Sequence, residues 1–417
     1  MDAAVHPTIR FYRLSDRDRQ TPLACTADEI VSTSVSVDLK IPQCAAHTLS
    51  SIFIKGEDMT REEQLESLLI LNKKGGILDS RKIQHNPFFE LYEYDGKQLC
   101  SVISNGEIHF NLVDCWERNA VAIYDLRTAA VFRGMLEAIF SISARIVDKG
   151  IYPEIGNVAP PKMRQDPGKL LVTKRELLNS LSNFNYDIDE HPWMASTDRQ
   201  ALFLFISNTL FRFIVFHELG HLYNEHGKRN NEKDFFEVDE MGTESPQGGI
   251  DSQAREIIAD TFAFQKLVEF QRFHLLSQQN EPVGKLLSSH FMKNEEDLII
   301  FISQMVFIYF YMMESPNWAH ENPIQWTHPP AQFRLKTILA SLLEHGLLSI
   351  EKTKIPEIIQ KALFVGPSIL SVMFETFPEY NWLQILDNPK YREHYELIFS
   401  EIPRWITPNE NRWANMS

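Results

Sequence analysis

Cysteine is scarce in this chain of 417 residues: Cys25, Cys44, Cys100 and Cys115 are all there is, and no two stand as a C-x-x-C pair. That count argues against a disulfide framework and against a cysteine-built zinc site, and it fits a reducing compartment. Positive charge is also short. Forty-one basic residues face 56 acidic ones, for a net charge of −15. General nucleic-acid binding is therefore not expected, nor is an anionic membrane surface as the main partner. The N-terminal stretch carries Asp2, His6 and Arg10 and has no apolar segment of the secretory kind. Long hydrophobic runs are missing as well. Leu298–Met313 is apolar except for Ser303 and Gln304, and Ala201–Phe216 is broken by Asn208 and Arg212. Both are shorter than the ~20 residues that cross a bilayer, so they read as buried core helices of a cytoplasmic protein. There is no internal repeat and no low-complexity tract.

The hydrophobic fraction of 44% supports a sizeable core, and the length suggests two or three domains. Alternation over Val31–Ile41 predicts a strand. Glu62–Asn72 predicts a short helix stopped by Gly75-Gly76. Phe88–Leu112, punctuated by Asp95-Gly96 and Asn105-Gly106, predicts a three-stranded antiparallel meander. From Glu117 to Lys149 an apolar stripe including Ala120, Ile123, Ala130, Phe132 and Met135 predicts one helix. The Pro/Gly-rich stretch 150–168 is the candidate boundary. Beyond it come a long helix over Thr197–His226, an acidic connection over Lys228–Gly249, a helix capped by Asp251 or Ser252 and running to Leu276, and an apolar helix 295–313. Another helix covers Ala331–His345, and short helices joined by proline-bearing loops follow. The fold class is α+β, mostly helical. Residues 1–150 form an N-terminal domain carrying the meander, 151–345 the catalytic domain, and 346–417 a helical extension.

The stretch that organises the chain is His217-Glu218-Leu219-Gly220-His221. On a helix, positions four apart share a face, so His217 and His221 can grip one zinc ion with Glu218 beside it to take a proton from water. The third ligand is read as Glu256, four residues before Asp260 on a largely apolar helix. Buried carboxylates need pairing or a metal. Asp260 would then accept the second N–H of a ligating histidine and fix its tautomer. His328, just before a helix that carries Arg334, puts two donors where they could stabilise an oxyanion. Glu225 and His226 read as a solvated helix end.

Together, H-E-x-x-H, E-x-x-x-D and His328-Pro329 with Arg334 resemble the gluzincin metallopeptidases, with the motif order of the HtpX-type family. The Lit-type phage-exclusion peptidases are a soluble relative. The ImmA/IrrE group shares the first two motifs. The resemblance covers about residues 200–340 and implies a zincin-like catalytic domain. It also implies one Zn2+ per chain on His217, His221 and Glu256, and Glu218 as general base. His328 and Arg334 would support the transition state. HtpX-type proteins are membrane-bound, whereas the apolar runs here read as core, so the expected substrate is a cytosolic protein or peptide. Conditional cleavage during phage infection is what the Lit-type likeness implies, and residues 1–150 could receive a regulatory partner. The rival classes are a zinc-binding regulator or sensor of the ImmA/IrrE kind that cleaves nothing, and a structural protein without metal. The intact Glu218 favours the enzyme, because a metal scaffold has no use for that carboxylate. The acidic connection is expected near the cleft mouth, where its charge would favour basic substrates. The meander is expected to supply an edge strand for an extended substrate.

Overall fold

The computed structural model of the chain describes residues 59–83, 88–158, 191–229, 246–313, 323, 326, 328–345, 350–374 and 388–407. They belong to one compact unit, Met59–Ser417. The strand expected at 31–41 and the acidic connection over 230–245 lie outside the described residues. The architecture is mostly helical, with one small mixed sheet.

Helix α1 (Arg61–Leu71) starts on a capping box. The Thr60 hydroxyl accepts from the Glu63 amide, and the Glu63 carboxylate accepts from the Thr60 amide. The expected meander is not there. Phe88–Ser104 is a helix, α2, and the sheet begins only afterwards with β1 (His109–Val113), β2 (Ala120–Ile123) and β3 (Thr128–Phe132). Asp95-Gly96 is mid-helix rather than a hairpin turn. The glycine is needed for close approach, since a Cβ on Gly96 would meet the Phe110 ring at 2.4 Å. Asp95 faces Arg212, whose Nε lies 2.9 Å from its Oδ2. Asn105-Gly106 does turn the chain, with φ of 53° and 83°.

The single helix expected from Glu117 is likewise corrected: α3 spans only Arg133–Asp148, and β2 and β3 occupy the first half of the expected helix. The strand order is β1-β3-β2. β1 runs parallel to the central β3, and β2 runs antiparallel to it. Every residue of β3 is buried, which erases the period-2 signature that would have marked it as a strand.

The centre of the molecule is α4 (Thr197–Tyr223), buried nearly all round. The Ser196 side chain accepts from the Arg199 amide at its start. The Arg199 guanidinium, 1% exposed, donates to the carbonyls of Val147, Ile151, Tyr152 and Ile155. It thus satisfies carbonyls at and beyond the end of α3 and ties α3 to α4. Aromatic rings fill the space between α2, α3 and α4. Tyr92 meets Phe211 edge-on at 4.8 Å and Phe140 at 5.1 Å. Such pairs add about 0.5–1.5 kcal/mol each beyond area burial. Core residues thus come from both sides of position 150.

The short α5 (His226–Arg229) follows α4. Then come α6 (Pro246–Ser277), α7 (Pro282–Phe291), α8 (Glu295–Met313), α9 (Ala331–His345), α10 (Ile355–Phe374) and α11 (Pro389–Trp405). α6 starts ahead of the caps expected at Asp251 and Ser252. In the C-terminal region Pro367 and Pro403 lie within α10 and α11, rather than in loops between short helices. Among the described residues, three helices are long and apolar enough to cross a membrane: α4, α8 and α10. Their most apolar windows are 89%, 67% and 44% buried against the rest of the protein. Both apolar runs noted in the sequence therefore lie in the core, while α10 is less than half covered.

Candidate metal centre

The last turns of α4 place His217, Glu218 and His221 at one end of the buried helix, where α6 crosses it. The crossing is close because both helices are small there. A Cβ on Gly220 would lie 2.9 Å from the Cα of Ala259 and 3.1 Å from its carbonyl oxygen. That contact sets Glu256, one turn before Ala259, against the two histidines. Nε2 of His217 and Nε2 of His221 are 3.1 Å apart. Glu256 Oε2 is 3.3 Å from the first and Oε1 is 3.1 Å from the second.

Those separations test whether an ion fits. Tetrahedral zinc with bonds of about 2.0–2.1 Å has donors about 3.3 Å apart. The two histidine nitrogens are that close to each other and each to a different oxygen of Glu256, and one ligand atom from each residue lies within 4.8 Å of the others. Glu256 Oε2 also lies 3.3 Å from His328 Nε2 and 3.5 Å from Arg334 Nη2, yet it is buried with no hydrogen bond. A buried carboxylate whose neighbouring nitrogens are not in hydrogen-bond geometry is a fit position for a metal ligand. His217, His221 and Glu256 together can hold a metal ion.

Around the triangle, Asp260 is 1% exposed and sits between two partners. Its Oδ1 lies 2.9 Å from Nδ1 of His217, and it accepts from Arg334 through Nε at 2.7 Å and Nη2 at 2.8 Å. Arg334 therefore has two donors committed to Asp260. Its guanidinium also covers the Phe310 ring at 4.8 Å. His328 stands at the open side against Glu256, with 23% of its side chain exposed.

The electrostatics follow from three buried carboxylates in one place. Burial would lower the His217 pKa, but Glu256 and Asp260 outweigh it and hold the imidazole up at about 10. The site thus favours a positive charge at this position. Burial would raise Glu256, yet His328, His221 and His217 carry it well below the usual carboxylate range. Burial would also raise Asp260, and Arg334 brings it down. For Glu218 the opposing pull of His217 and Arg334 is not enough. Burial pushes it up to about 7, near the value that suits a group exchanging protons at neutral pH.

The cleft over these residues has walls that the sequence did not single out: Ala122 and Tyr124 at the sheet edge, Met135 of α3, Arg255 of α6 and Tyr309 of α8. The Phe132 amide donates to the Asn119 carbonyl, so in the antiparallel ladder residues 119, 121 and 123 face β3. The backbone groups of Ala120 and Ala122 then point away from it. The Ala120 amide does so visibly, donating to the Asn119 side chain. Among the described residues no strand pairs with that outer edge of β2. The edge strand near the cleft is thus 120–123 and not part of 88–112.

His226 is the largest correction at the site. Expected in solvent, it is 0% exposed, with Nδ1 2.9 Å from Nδ1 of His221. Five residues after His221, it shares no helical face with it. Only the turn at Glu225 brings it back, and no periodicity announces that.

No family model matched the chain, and neither the curated proteins nor the solved structures contained a match.

Proposed function

We propose that this chain is a zinc-dependent endopeptidase of the gluzincin kind, hydrolysing a peptide bond in a protein substrate. The observation that carries this reading is the buried cluster of His217, His221 and Glu256, whose ligand atoms lie within 4.8 Å of one another, with Glu218 poised near neutrality beside it. A bound zinc ion would supply Lewis-acid chemistry, acidifying water and polarising the scissile carbonyl.

Glu218 takes a proton from water and later hands it to the leaving amine. Asp260 orients His217 through Nδ1, and Arg334 holds Asp260 by its two-pronged contact. Arg334 is then a positioning residue, and His328, at the open side, is the donor that faces developing negative charge. The outer edge of β2 accepts the substrate as an added strand, its main chain pairing with Ala120 and Ala122.

The test is metal content together with peptide cleavage. The purified protein should hold about one zinc per chain. Glu218→Gln should retain it while cleavage falls by roughly 10²–10⁴. A metal-free wild type, or a Glu218→Gln variant as active as wild type, overturns the reading.

A further inference from the structure

We propose that His226 is a positioning residue for the metal ligand His221, braced from behind by Trp405. The inference deepens the metal reading above and rests on it. A histidine that gives its Nε2 to a metal must be neutral and carry its proton on Nδ1. The atom facing Nδ1 of His221 is Nδ1 of His226, 2.9 Å away. For His221 to donate there, His226 must accept on Nδ1, which places its own proton on Nε2. The contact therefore selects a matched pair of tautomers, and the one it selects for His221 leaves Nε2 free to bind. His226 is not itself in the donor triangle; it stands on the far side of the His221 ring.

Local structure is arranged to hold it there. Glu225 has φ of 52°, a left-handed conformation uncommon for a side-chain-bearing residue, and it turns the chain from α4 into α5. Gly227 lies flat against Tyr124, where a Cβ would come within 2.1 Å of the ring. The far face of His226 meets the Trp405 indole at 6.2 Å and 90°. Trp405 in turn packs with Ala254, Ile257 and Ile258 of α6 and lies under the Arg255 guanidinium at 5.2 Å. The Thr407 amide donates to Asn224, whose own amide donates to the Gly220 carbonyl. The segment that ends α11 thus clamps the end of α4. The two histidine ligands are backed differently, His217 by the carboxylate of Asp260 and His221 by a neutral imidazole.

Zinc affinity, measured by competition with a chromogenic chelator, tests this on the full chain. His226→Phe keeps a ring against Trp405 but removes the acceptor; zinc affinity should fall about 10- to 100-fold. His226→Asn restores an acceptor oxygen and should recover most of that loss. Unfolding of the metal-free forms should not rank the variants in the same order. Equal affinity in wild type and His226→Phe, or equal loss in both variants, overturns the proposal. If His226→Phe fails to fold, long-range 1H–15N spectra of the zinc-loaded wild type decide it. A proton on Nε2 of His226 supports the proposal, and one on Nδ1 refutes it. Absence of zinc from the wild type would instead defeat the metal reading itself.

Discussion

Gly220 and Ala259 touch backbone to backbone: a Cβ on the glycine would stand 2.9 Å from the alanine Cα. Neither neighbour is a flexible side-chain tip, so Gly220→Ala must push α4 and α6 apart. The variant should lose about 1–3 kcal/mol of stability. Its zinc affinity should fall too, because Glu256 moves with α6. Denaturant unfolding and chelator competition measure the two effects, and wild-type values in both would show that the crossing is looser than described.

Asp260 serves His217 and Arg334 at once. Asp260→Asn keeps the shape but takes from the Arg334 guanidinium its two-pronged anionic partner, leaving Glu256 at 3.5 Å. Removing one partner of a buried pair costs about 3–5 kcal/mol. Loss of a group that orients a ligating histidine lowers metal affinity about 10- to 100-fold. Thermal unfolding with and without zinc reports both. An unchanged midpoint together with unchanged affinity would remove Asp260 from the site's support.

Ala122 offers an amide that points away from β3. Ala122→Pro removes that donor without taking one from the ladder, and an edge strand tolerates proline. Peptide cleavage should show a raised KM with near-normal zinc content and folding. A wild-type KM would mean that substrate does not pair with this edge.

His274, far along α6, gives a pH signature separate from the metal. Burial depresses its pKa to about 4 from 6.5, with Arg212 adding to the effect. Above about 6.5 the imidazole is neutral in both folded and unfolded chains. Between about 6.5 and 4 the unfolded chain binds a proton that the folded chain refuses, so stability falls as pH drops; below about 4 the loss levels off. His274→Gln should flatten this part of the profile. Parallel stability curves for variant and wild type across that window would contradict it.

Reading the sequence succeeded where a residue pattern maps onto one element. The helix expected at 62–72 from the Gly75-Gly76 stop, the apolar run at 295–313 and the helix after Pro329-Pro330 all formed, and the spacing of His217, His221, Glu256 and Asp260 follows from two helix faces. It failed where glycine and burial have more than one cause. Gly96 makes room for Phe110 rather than turning a hairpin. In β2 and β3, near-complete burial left almost every position apolar, Thr128 excepted, so strand and helix looked alike. Contacts between distant segments, such as His226 with Trp405 or Arg199 with the end of α3, leave no local trace at all.

The bracing of His226 also has a timetable. Trp405 follows His226 by roughly 180 residues. At 5–20 residues per second, roughly 10–40 s of synthesis separate them. While the ribosome is still extending the chain toward α11, the H-E-x-x-H turn is out and the indole that backs its second histidine is not. If His226 positions His221 as proposed, a newborn chain would hold metal more weakly than the finished one, and translation itself would delay completion of the site.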